Sequence, residues 1–215
     1  MTDFTTAIFD MDGTLIDSLD VWEKIDREFL EVKRNIPIPD DYVKMIAPMS
    51  YLETALYTIE RFGLKDTPEE LMQEWTDMAV SEYAHNIKLK PYVREYLMML
   101  REKGKKIVLC TSSPDYLYEP VLKNNGIYDL FDAFTTTCEA GKGKNLPDVY
   151  LLAAKKASAK VGECMVFEDV PEAAAVAKQA GMKVCGVFDE RGALVKEDMK
   201  KLCDIYIDSF EELLK

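Results

Sequence analysis

The chain has 215 residues, enough for one large domain or for a core domain with a smaller insert. Hydrophobic residues make up 48% and charged residues 31%, an ordinary composition for a globular protein with ample material for a core. The net charge of −12 argues against binding of nucleic acid through a basic surface. An anionic substrate would therefore have to be attracted locally, by a metal ion or a lysine.

Other features of the sequence exclude further classes of protein. The start of the chain carries neither a basic segment nor a long apolar one, and no apolar run reaches 18 residues. We therefore expect a cytoplasmic protein with no signal peptide and no membrane contact. The five cysteines are scattered without a Cys-x-x-Cys pair, which is typical of reduced thiols. Because His85 is the only histidine, a multi-histidine metal site is excluded, and we expect carboxylate chemistry.

The first predicted element is a short, apolar, β-favouring strand over 5–9. Helical spacing of apolar residues then predicts helices over 18–35, 40–47 and 50–62, and a fourth helix that begins after Thr67. Asp17 or Ser18 could cap the first of them. No strand is predicted between 17 and 85, so this region is expected to be a small helical bundle whose aromatic residues form its core.

Strands and helices alternate over the rest of the chain. The predicted strands cover 106–110, 133–137, 163–167, 183–188 and 204–207, and the predicted helices cover 92–103, 114–125, 147–159, 171–180, 194–201 and 209–214. The strands are continuous apolar runs, which is typical of a parallel sheet covered on both faces. The sequence therefore predicts an α/β fold, a doubly wound parallel sheet built from 1–16 and 87–215, with a helical domain inserted over 17–86.

Asp10 and Asp12 stand one residue apart where the first strand should end. Side chains two residues apart in an extended chain point the same way, so both carboxylates can share one pocket, and Gly13 permits a sharp turn after them. At about 4 Å two unpaired carboxylates repel by roughly 4 kcal/mol at an effective dielectric constant of 20. A cation must lie between them, or one must hold a proton. The alternative is a strand followed by a simple Asx turn.

Three further polar clusters end predicted strands or precede predicted helices: Thr111, Ser112 and Ser113; Lys144; and Glu168 with Asp169. Each has a plain alternative: a Ser/Thr helix cap, a solvated loop lysine, or acids that complement a helix dipole. Hydroxyl groups and amides at a helix start also suit a phosphate oxygen. All the clusters fall on the edge where a doubly wound sheet binds ligands, and coincidence in four cases is improbable.

The clusters resemble the motifs of the haloacid dehalogenase-like (HAD) superfamily, in the subgroup with a helical cap inserted after the first motif. The resemblance covers essentially the whole chain: DMDGTLIDS at 10–18, TSS at 111–113, GKNLPD at 143–148, and FED at 167–169 followed by a helix and AGM. It departs from the usual pattern at Val170 and Ala173, where relatives carry Ser and Gly, but both carboxylates of the fourth motif are present.

The resemblance implies a role for each cluster. Asp10 would be the nucleophile that takes the phosphoryl group, and Asp12 would protonate the leaving oxygen and then activate water. Lys144 and Thr111 would complete the catalytic set by holding the phosphate. The implied phosphate-binding residues are Met11, Asp12, Thr111, Ser112, Ser113 and Lys144, and the implied Mg²⁺ residues are Asp10, Asp12 through its carbonyl, Glu168 and Asp169.

The leading hypothesis is a Mg²⁺-dependent phosphatase that hydrolyses a small phosphorylated metabolite, a sugar or polyol phosphate, through an aspartyl-phosphate. The alternatives are a β-phosphoglucomutase-like phosphomutase and a non-catalytic phosphate-binding regulatory protein. A dehalogenase is disfavoured, because such relatives lack an acid at the position of Asp12. Trp22 stands where β-phosphoglucomutase has a cap histidine, so it is either a substrate contact or part of the cap core. We expect no nucleic acid or membrane partner and a monomer or weak dimer.

Overall fold

The computed structural model describes residues 3–190 and 196–214, which contain one six-stranded parallel sheet. Its strands are β1 (Thr6–Phe9), β2 (Lys106–Thr111), β3 (Ala133–Thr136), β4 (Cys164–Glu168), β5 (Lys183–Val187) and β6 (Ile205–Ile207). Their order in the sheet is β3-β2-β1-β4-β5-β6, and every neighbouring pair is parallel. The strand order reverses at β1, so a crevice opens at its carboxyl end, between β2 and β4. The predicted doubly wound α/β fold is confirmed.

The helices are α1 (Leu19–Asp26), α2 (Tyr42–Ile46), α3 (Tyr51–Phe62), α4 (Pro68–His85), α5 (Val93–Glu102), α6 (Asp115–Asn124), α7 (Thr137–Ala140), α8 (Asp148–Lys156), α9 (Pro171–Gln179) and α10 (Lys196–Leu202). A π-helical segment, Arg27–Val32, continues α1, and single 3₁₀ turns cover Tyr128–Leu130, Val161–Glu163 and Phe210–Leu213. No helix of the described residues is long and apolar enough to cross a membrane.

Both faces of the sheet are buried, because the residues of each strand alternate between two hydrophobic clusters. On one face, Phe9 of β1 stacks on Phe167 of β4 with ring centroids 4.3 Å apart, and Tyr96 of α5 packs edge-on against both rings. On the other face, Ile8 packs into a cluster that includes Val149 of α8 and residues of α9. This two-sided packing fixes the register that brings the carboxyl ends of β1, β2 and β4 level.

The predicted cap corresponds to α1–α4, and the described residues between β1 and α5 contain no strand. Ser50 and Thr67 form capping boxes at the starts of α3 and α4. The interior is aromatic: Phe29 packs edge-on against Trp75, with ring centroids 5.4 Å apart, and Tyr42 is fully buried. We keep the name cap for α1–α4, and its boundaries at 17 and 86 stay a prediction.

The chain enters and leaves the cap along two segments that lie side by side. Ile16 forms an antiparallel bridge with Leu89. The Asp17 N–H donates to the Lys88 carbonyl at 3.0 Å, and the Lys90 N–H donates to the Leu15 carbonyl at 2.9 Å. The two crossings are thus held together by backbone hydrogen bonds.

Several predicted elements differ in detail. The helix predicted over 18–35 is α-helical only to Asp26, and its later part is a π-helical segment that ends at Val32. The segment predicted as a helix over 209–214 is a 3₁₀ turn, Phe210–Leu213. The predicted strand over 133–137 ends at Thr136, because α7 begins at Thr137. Residues 191–195, including the predicted start of the helix over 194–201, lie outside the described residues.

Candidate active site

The predicted site residues meet at the carboxyl ends of three adjacent strands. Phe9 is in register with Leu109 of β2 and with Phe167 of β4, so Asp10 comes level with the end of β4. The Asp10 N–H donates to the Phe167 carbonyl at 3.0 Å, which extends the ladder by one bond and directs the carboxylate into the crevice. Glu168 is the last residue of β4, and Thr111 is the last residue of β2.

Lys144 lies between two of these carboxylates. The loop between α7 and α8 carries it, and its Nζ donates to Asp10 Oδ1 and, at 2.6 Å, to Glu168 Oε1. The Tyr150 hydroxyl donates to the same Glu168 oxygen at 2.8 Å. Burial alone would lower the pKa of Lys144, but the carboxylates of Asp10 and Glu168 outweigh it and raise that pKa. The two carboxylates therefore favour the charged ammonium form of Lys144.

Asp10, Glu168 and Asp169 form a buried acidic cluster. Each offers one carboxylate oxygen, and these oxygens lie within 4.8 Å of one another. Burial raises the pKa of Asp10 to about 6, with Lys144 opposing the rise and Glu168 adding to it. Burial and then the charge of Asp10 raise the pKa of Asp169 well above its ordinary value. Crowding of this kind is relieved by a cation.

The chemistry of this cluster fits Mg²⁺. The ion prefers a few carboxylate oxygens together with water and phosphate oxygens. Glu168 Oε2 is buried and has no hydrogen-bond partner among the described residues, so the cluster holds an unsatisfied oxygen that a cation would satisfy. Asp169 is held in place by the Thr14 hydroxyl, which donates to its Oδ1 at 3.0 Å.

Gly13 allows the turn after Asp12 to pass against the acidic cluster. Its φ is +82°, in the left-handed region that favours glycine. A Cβ atom at this position would lie 2.3 Å from Asp169 Oδ2. Glycine is thus required both for the backbone conformation and for the position of the Asp169 carboxylate.

Asp12 accepts hydrogen bonds from three hydroxyl groups. Ser18 Oγ donates to its Oδ1 at 2.6 Å, the Tyr83 hydroxyl donates to the same oxygen, and Ser113 Oγ donates to Oδ2 at 2.8 Å. The indole N–H of Trp22 donates in turn to the Tyr83 oxygen. Burial raises the pKa of Asp12, and the bonds from Ser18 and Tyr83 oppose that rise.

The remaining predicted phosphate-binding residues surround this centre. Thr111 is fully buried, and its Oγ accepts the Ser113 N–H at 3.0 Å. Ser112 is partly exposed beside them. The Met11 side chain is buried in the core, while its carbonyl accepts the N–H groups of Thr14, Leu15 and Ile16. Met11 can therefore contribute to the site only through its backbone.

The structure adds contacts that sequence reasoning missed. Ser18, one of the two predicted caps, stands just before α1, but it makes no side-chain capping bond and contacts Asp12 instead. Tyr83 was expected in the cap core; it is buried, yet its hydroxyl reaches the site. Trp22 packs edge-on against Tyr51 and Tyr83, so it lies in the cap interior and also contacts the site through Tyr83. Its contact with substrate stays a prediction.

Comparison with known proteins gives one consistent result. The sequence matches the haloacid dehalogenase-like hydrolase family over residues 4–181. YhcW of Bacillus subtilis (strain 168), which bears the name of a phosphatase, is 31% identical over 193 residues, covering 89% of this chain and 87% of the relative. Hexitol phosphatase B of Escherichia coli (strain K12) is 28% identical over 185 residues, covering 82% of this chain and 80% of the relative.

A solved structure agrees with the fold. The crystal structure of β-phosphoglucomutase from Clostridium difficile superimposes with a TM-score of 0.80 at 22% identity, covering 98% of this chain and 93% of that chain. The sequence match spans the first-strand aspartates and the acid pair after β4, and the structural match spans the sheet and the cap helices. The chain belongs to the haloacid dehalogenase-like hydrolase family.

Proposed function

We propose that the protein is a Mg²⁺-dependent phosphatase that hydrolyses a small phosphorylated sugar or polyol through an aspartyl-phosphate on Asp10. The family match and the phosphatase relatives identify the chain as a phosphoric monoester hydrolase. The metal, the substrate class and the roles of individual residues are the proposal.

One observation carries the mechanism: Lys144 holds its ammonium group against Asp10 and Glu168, with Asp12 beside them. A carboxylate attacks phosphorus only when the negative charges that approach each other are neutralised. Lys144 is placed to neutralise charge both on Asp10 and on an incoming phosphate. The aspartyl-phosphate then divides one difficult transfer into two easier steps.

The other residues bind, orient and move protons. Asp10 attacks while Asp12 gives a proton to the leaving oxygen, and Asp12 then takes a proton from the water that releases phosphate. Thr111 would present its hydroxyl group to the phosphate from the end of β2, with Ser112 beside it, while Ser113 holds Thr111 and Asp12 in place. Asp10, Asp169 and Glu168, with the Asp12 carbonyl, would hold Mg²⁺, which when bound supplies positive charge opposite the phosphate oxygens.

The substrate class is supported by the relatives. Besides hexitol phosphatase B they include a phosphorylated carbohydrates phosphatase of Thermotoga maritima and a fructose-1-phosphate phosphatase of Escherichia coli. The aromatic surface of Trp22 in the cap is suited to a sugar or polyol chain rather than to a second phosphate group. We therefore propose a monophosphate ester of a short carbohydrate.

The direct test is hydrolysis of a generic aryl phosphate with and without Mg²⁺, followed by a panel of phosphorylated hexitols, hexoses and shorter polyols. We expect Mg²⁺-dependent phosphate release and a preference for carbohydrate esters. An absence of turnover on every ester would favour a non-catalytic phosphate-binding protein. A preference for non-carbohydrate esters would refute the substrate class alone.

A phosphomutase is the second candidate, since β-phosphoglucomutase of Bacillus subtilis is 28% identical over 194 residues. A mutase must keep water from the aspartyl-phosphate and grip a second phosphate with cationic cap residues. Trp22 stands where the cap histidine of that enzyme would fall, and it donates its N–H to Tyr83. We expect net phosphate release and no isomerisation of β-glucose 1-phosphate, even with a bisphosphate primer. Isomerisation faster than phosphate release would make the protein a mutase.

A further inference from the structure

The two oxygens of Asp12 have different surroundings. Oδ1 accepts two hydroxyl groups, from Ser18 and from Tyr83, whereas Oδ2 accepts one, from Ser113. A carboxylate oxygen offers two lone-pair directions to donors. Both directions on Oδ1 are therefore taken, and one direction on Oδ2 is left for a further partner.

The proton of Tyr83 has only one direction available. The Trp22 indole N–H is a donor only, so the Tyr83 oxygen must accept it. An ionised Asp12 is an acceptor only, so the Tyr83 proton points to Oδ1. The Tyr83 ring is 1% exposed and packs edge-on against Trp22, with ring centroids 5.9 Å apart, which leaves it little freedom to turn away.

The donors also come from different parts of the fold. Ser113 follows β2 in the sheet domain, and Ser18 lies where the chain enters the cap, but Tyr83 belongs to α4 of the cap. A second contact joins α4 to the sheet domain, since the hydroxyl groups of Thr76 and Tyr116 of α6 are 3.0 Å apart. The Tyr83 contact with Asp12 therefore requires α4 to rest on the sheet domain.

We propose that Tyr83 is a positioning residue, which fixes Asp12 through Oδ1 when the cap is closed so that Oδ2 carries the proton. This inference rests on the proposed phosphatase function. In the first step an Asp10 oxygen bonds to phosphorus, the bond from phosphorus to the ester oxygen breaks, and that oxygen keeps the electron pair and takes the proton of Asp12 Oδ2. In the second step Oδ2 takes a proton from water as the water oxygen bonds to phosphorus, and Asp10 leaves as a carboxylate.

The arrangement makes acid catalysis dependent on closure. With α4 lifted from the sheet domain, Oδ1 loses one of its two donors, and the carboxyl group is oriented less firmly because only Ser18 and Ser113 still hold it. An ester bound in an open site therefore meets an Asp12 that is not aligned with its leaving oxygen. Tyr83 thus links proton transfer to enclosure of the substrate.

The test is Tyr83→Phe, which removes only the hydroxyl group, compared with Tyr42→Phe, which removes a buried cap hydroxyl bonded to Thr58 and remote from Asp12. The measured quantity is kcat/KM for phosphate esters with leaving groups of graded acidity, from nitrophenol to simple alcohols. This quantity reports steps up to phosphoryl transfer to Asp10, so the later hydrolysis of the aspartyl-phosphate does not enter it.

We expect Tyr83→Phe to lower kcat/KM by roughly 10- to 100-fold for alkyl phosphates and by less than about threefold for nitrophenyl phosphate. A poor leaving group needs the Asp12 proton, whereas nitrophenolate leaves without it. Tyr42→Phe should match the parent protein on every ester. If Tyr83 had only a structural role, the substitution would reduce kcat/KM by the same factor for all esters.

Equal losses of kcat/KM on all esters in Tyr83→Phe, or no loss, would overturn the inference while leaving the phosphatase proposal intact. A parent protein that hydrolyses none of the esters would overturn both. If Tyr83→Phe does not fold, Trp22→Phe tests the same link, because it releases the Tyr83 hydroxyl from its fixed direction. That variant should show a smaller loss graded in the same order, and a uniform effect would overturn the inference.

Discussion

Replacement of Gly13 by alanine should damage the site far more than replacement of another glycine with the same backbone conformation. Gly63, at the end of α3, is the matched control: its φ is +62°, and a Cβ atom there would meet nothing within 4 Å. Left-handed backbone costs an alanine about 1–2 kcal/mol. The loss of freedom in the unfolded chain offsets about 0.4–1 kcal/mol of this. Gly63→Ala should therefore cost about 0–1.6 kcal/mol.

Gly13→Ala has the same backbone cost, and in addition its new Cβ atom collides with the Asp169 side chain. Its Cβ would lie 2.3 Å from Asp169 Oδ2, so the Asp169 side chain must turn away and lose the hydrogen bond from Thr14. A hydrogen bond to a charged group contributes about 1.5–3 kcal/mol. We therefore expect Gly13→Ala to cost about 1.5–4.6 kcal/mol in total. We also expect it to weaken Mg²⁺ binding, because Asp169 leaves the acidic cluster.

The assay is urea unfolding of the parent protein and both variants without Mg²⁺ and in saturating Mg²⁺, with phosphatase activity measured on the Mg²⁺-containing samples. Gly63→Ala should keep its activity and its stabilisation by Mg²⁺, whereas Gly13→Ala should lose most of both. If Gly13→Ala costs no more than Gly63→Ala and still gains stability from Mg²⁺, the reasoning about this turn is wrong.

Four further predictions concern the nucleophile, the metal ion and the cap. Asp10→Asn should fold but lose turnover by orders of magnitude, and residual activity above about one per cent would refute the nucleophile assignment. In metal-free protein, folding raises the pKa of Asp10 from 3.8 to about 6. Protonation of Asp10 therefore adds to the free energy of unfolding below pH 3.8, and this contribution is lost as the pH rises through about 6. Urea unfolding across this range should show no such contribution in Asp10→Asn. Mg²⁺ should raise the melting temperature as well as the activity, whereas Ca²⁺ should bind but support little turnover, and full activity after exhaustive chelation would contradict the metal site. Trp22→Ala should change the relative rates among carbohydrate esters by more than it changes the rate of aryl phosphate hydrolysis. Equal rate losses on all of these esters would show that Trp22 does not contribute to substrate specificity.

The sequence predicts the sheet and the centre of the site because both depend on short-range patterns. Continuous apolar runs identify parallel strands, and the carboxyl ends of parallel strands meet at one edge. Polar residues that directly follow such runs, such as Asp10 and Glu168, must therefore come together. Lys144 lies on a loop rather than at a strand end, so its grouping with them depended on its position just before a predicted helix and on the family resemblance.

The contacts between cap and sheet domain could not be predicted in this way. Tyr83 contacts Asp12 across 71 residues of sequence, and no local pattern records such a pairing. Its spacing along α4 is that of a core aromatic residue, as for Trp75. The apolar periodicity of the helix does not show that the Tyr83 hydroxyl contacts the site. Ser18 gives the same lesson, since a serine at a helix start is most simply a cap. Its side chain turns to Asp12 because that carboxylate is the stronger acceptor.

The paired crossings between cap and sheet domain have a consequence for how this protein can be altered. Because Ile16 bridges Leu89, the cap leaves and returns at nearly one point, so its length adds little to the entropy of closing the chain. A helical segment of different size, joined at the same two positions, would leave the six strands and their carboxylates undisturbed. The junction is therefore a natural place to exchange caps between relatives. Such chimeras should change which esters are hydrolysed, and a cap without a hydroxyl donor at the position of Tyr83 should also weaken acid catalysis by Asp12.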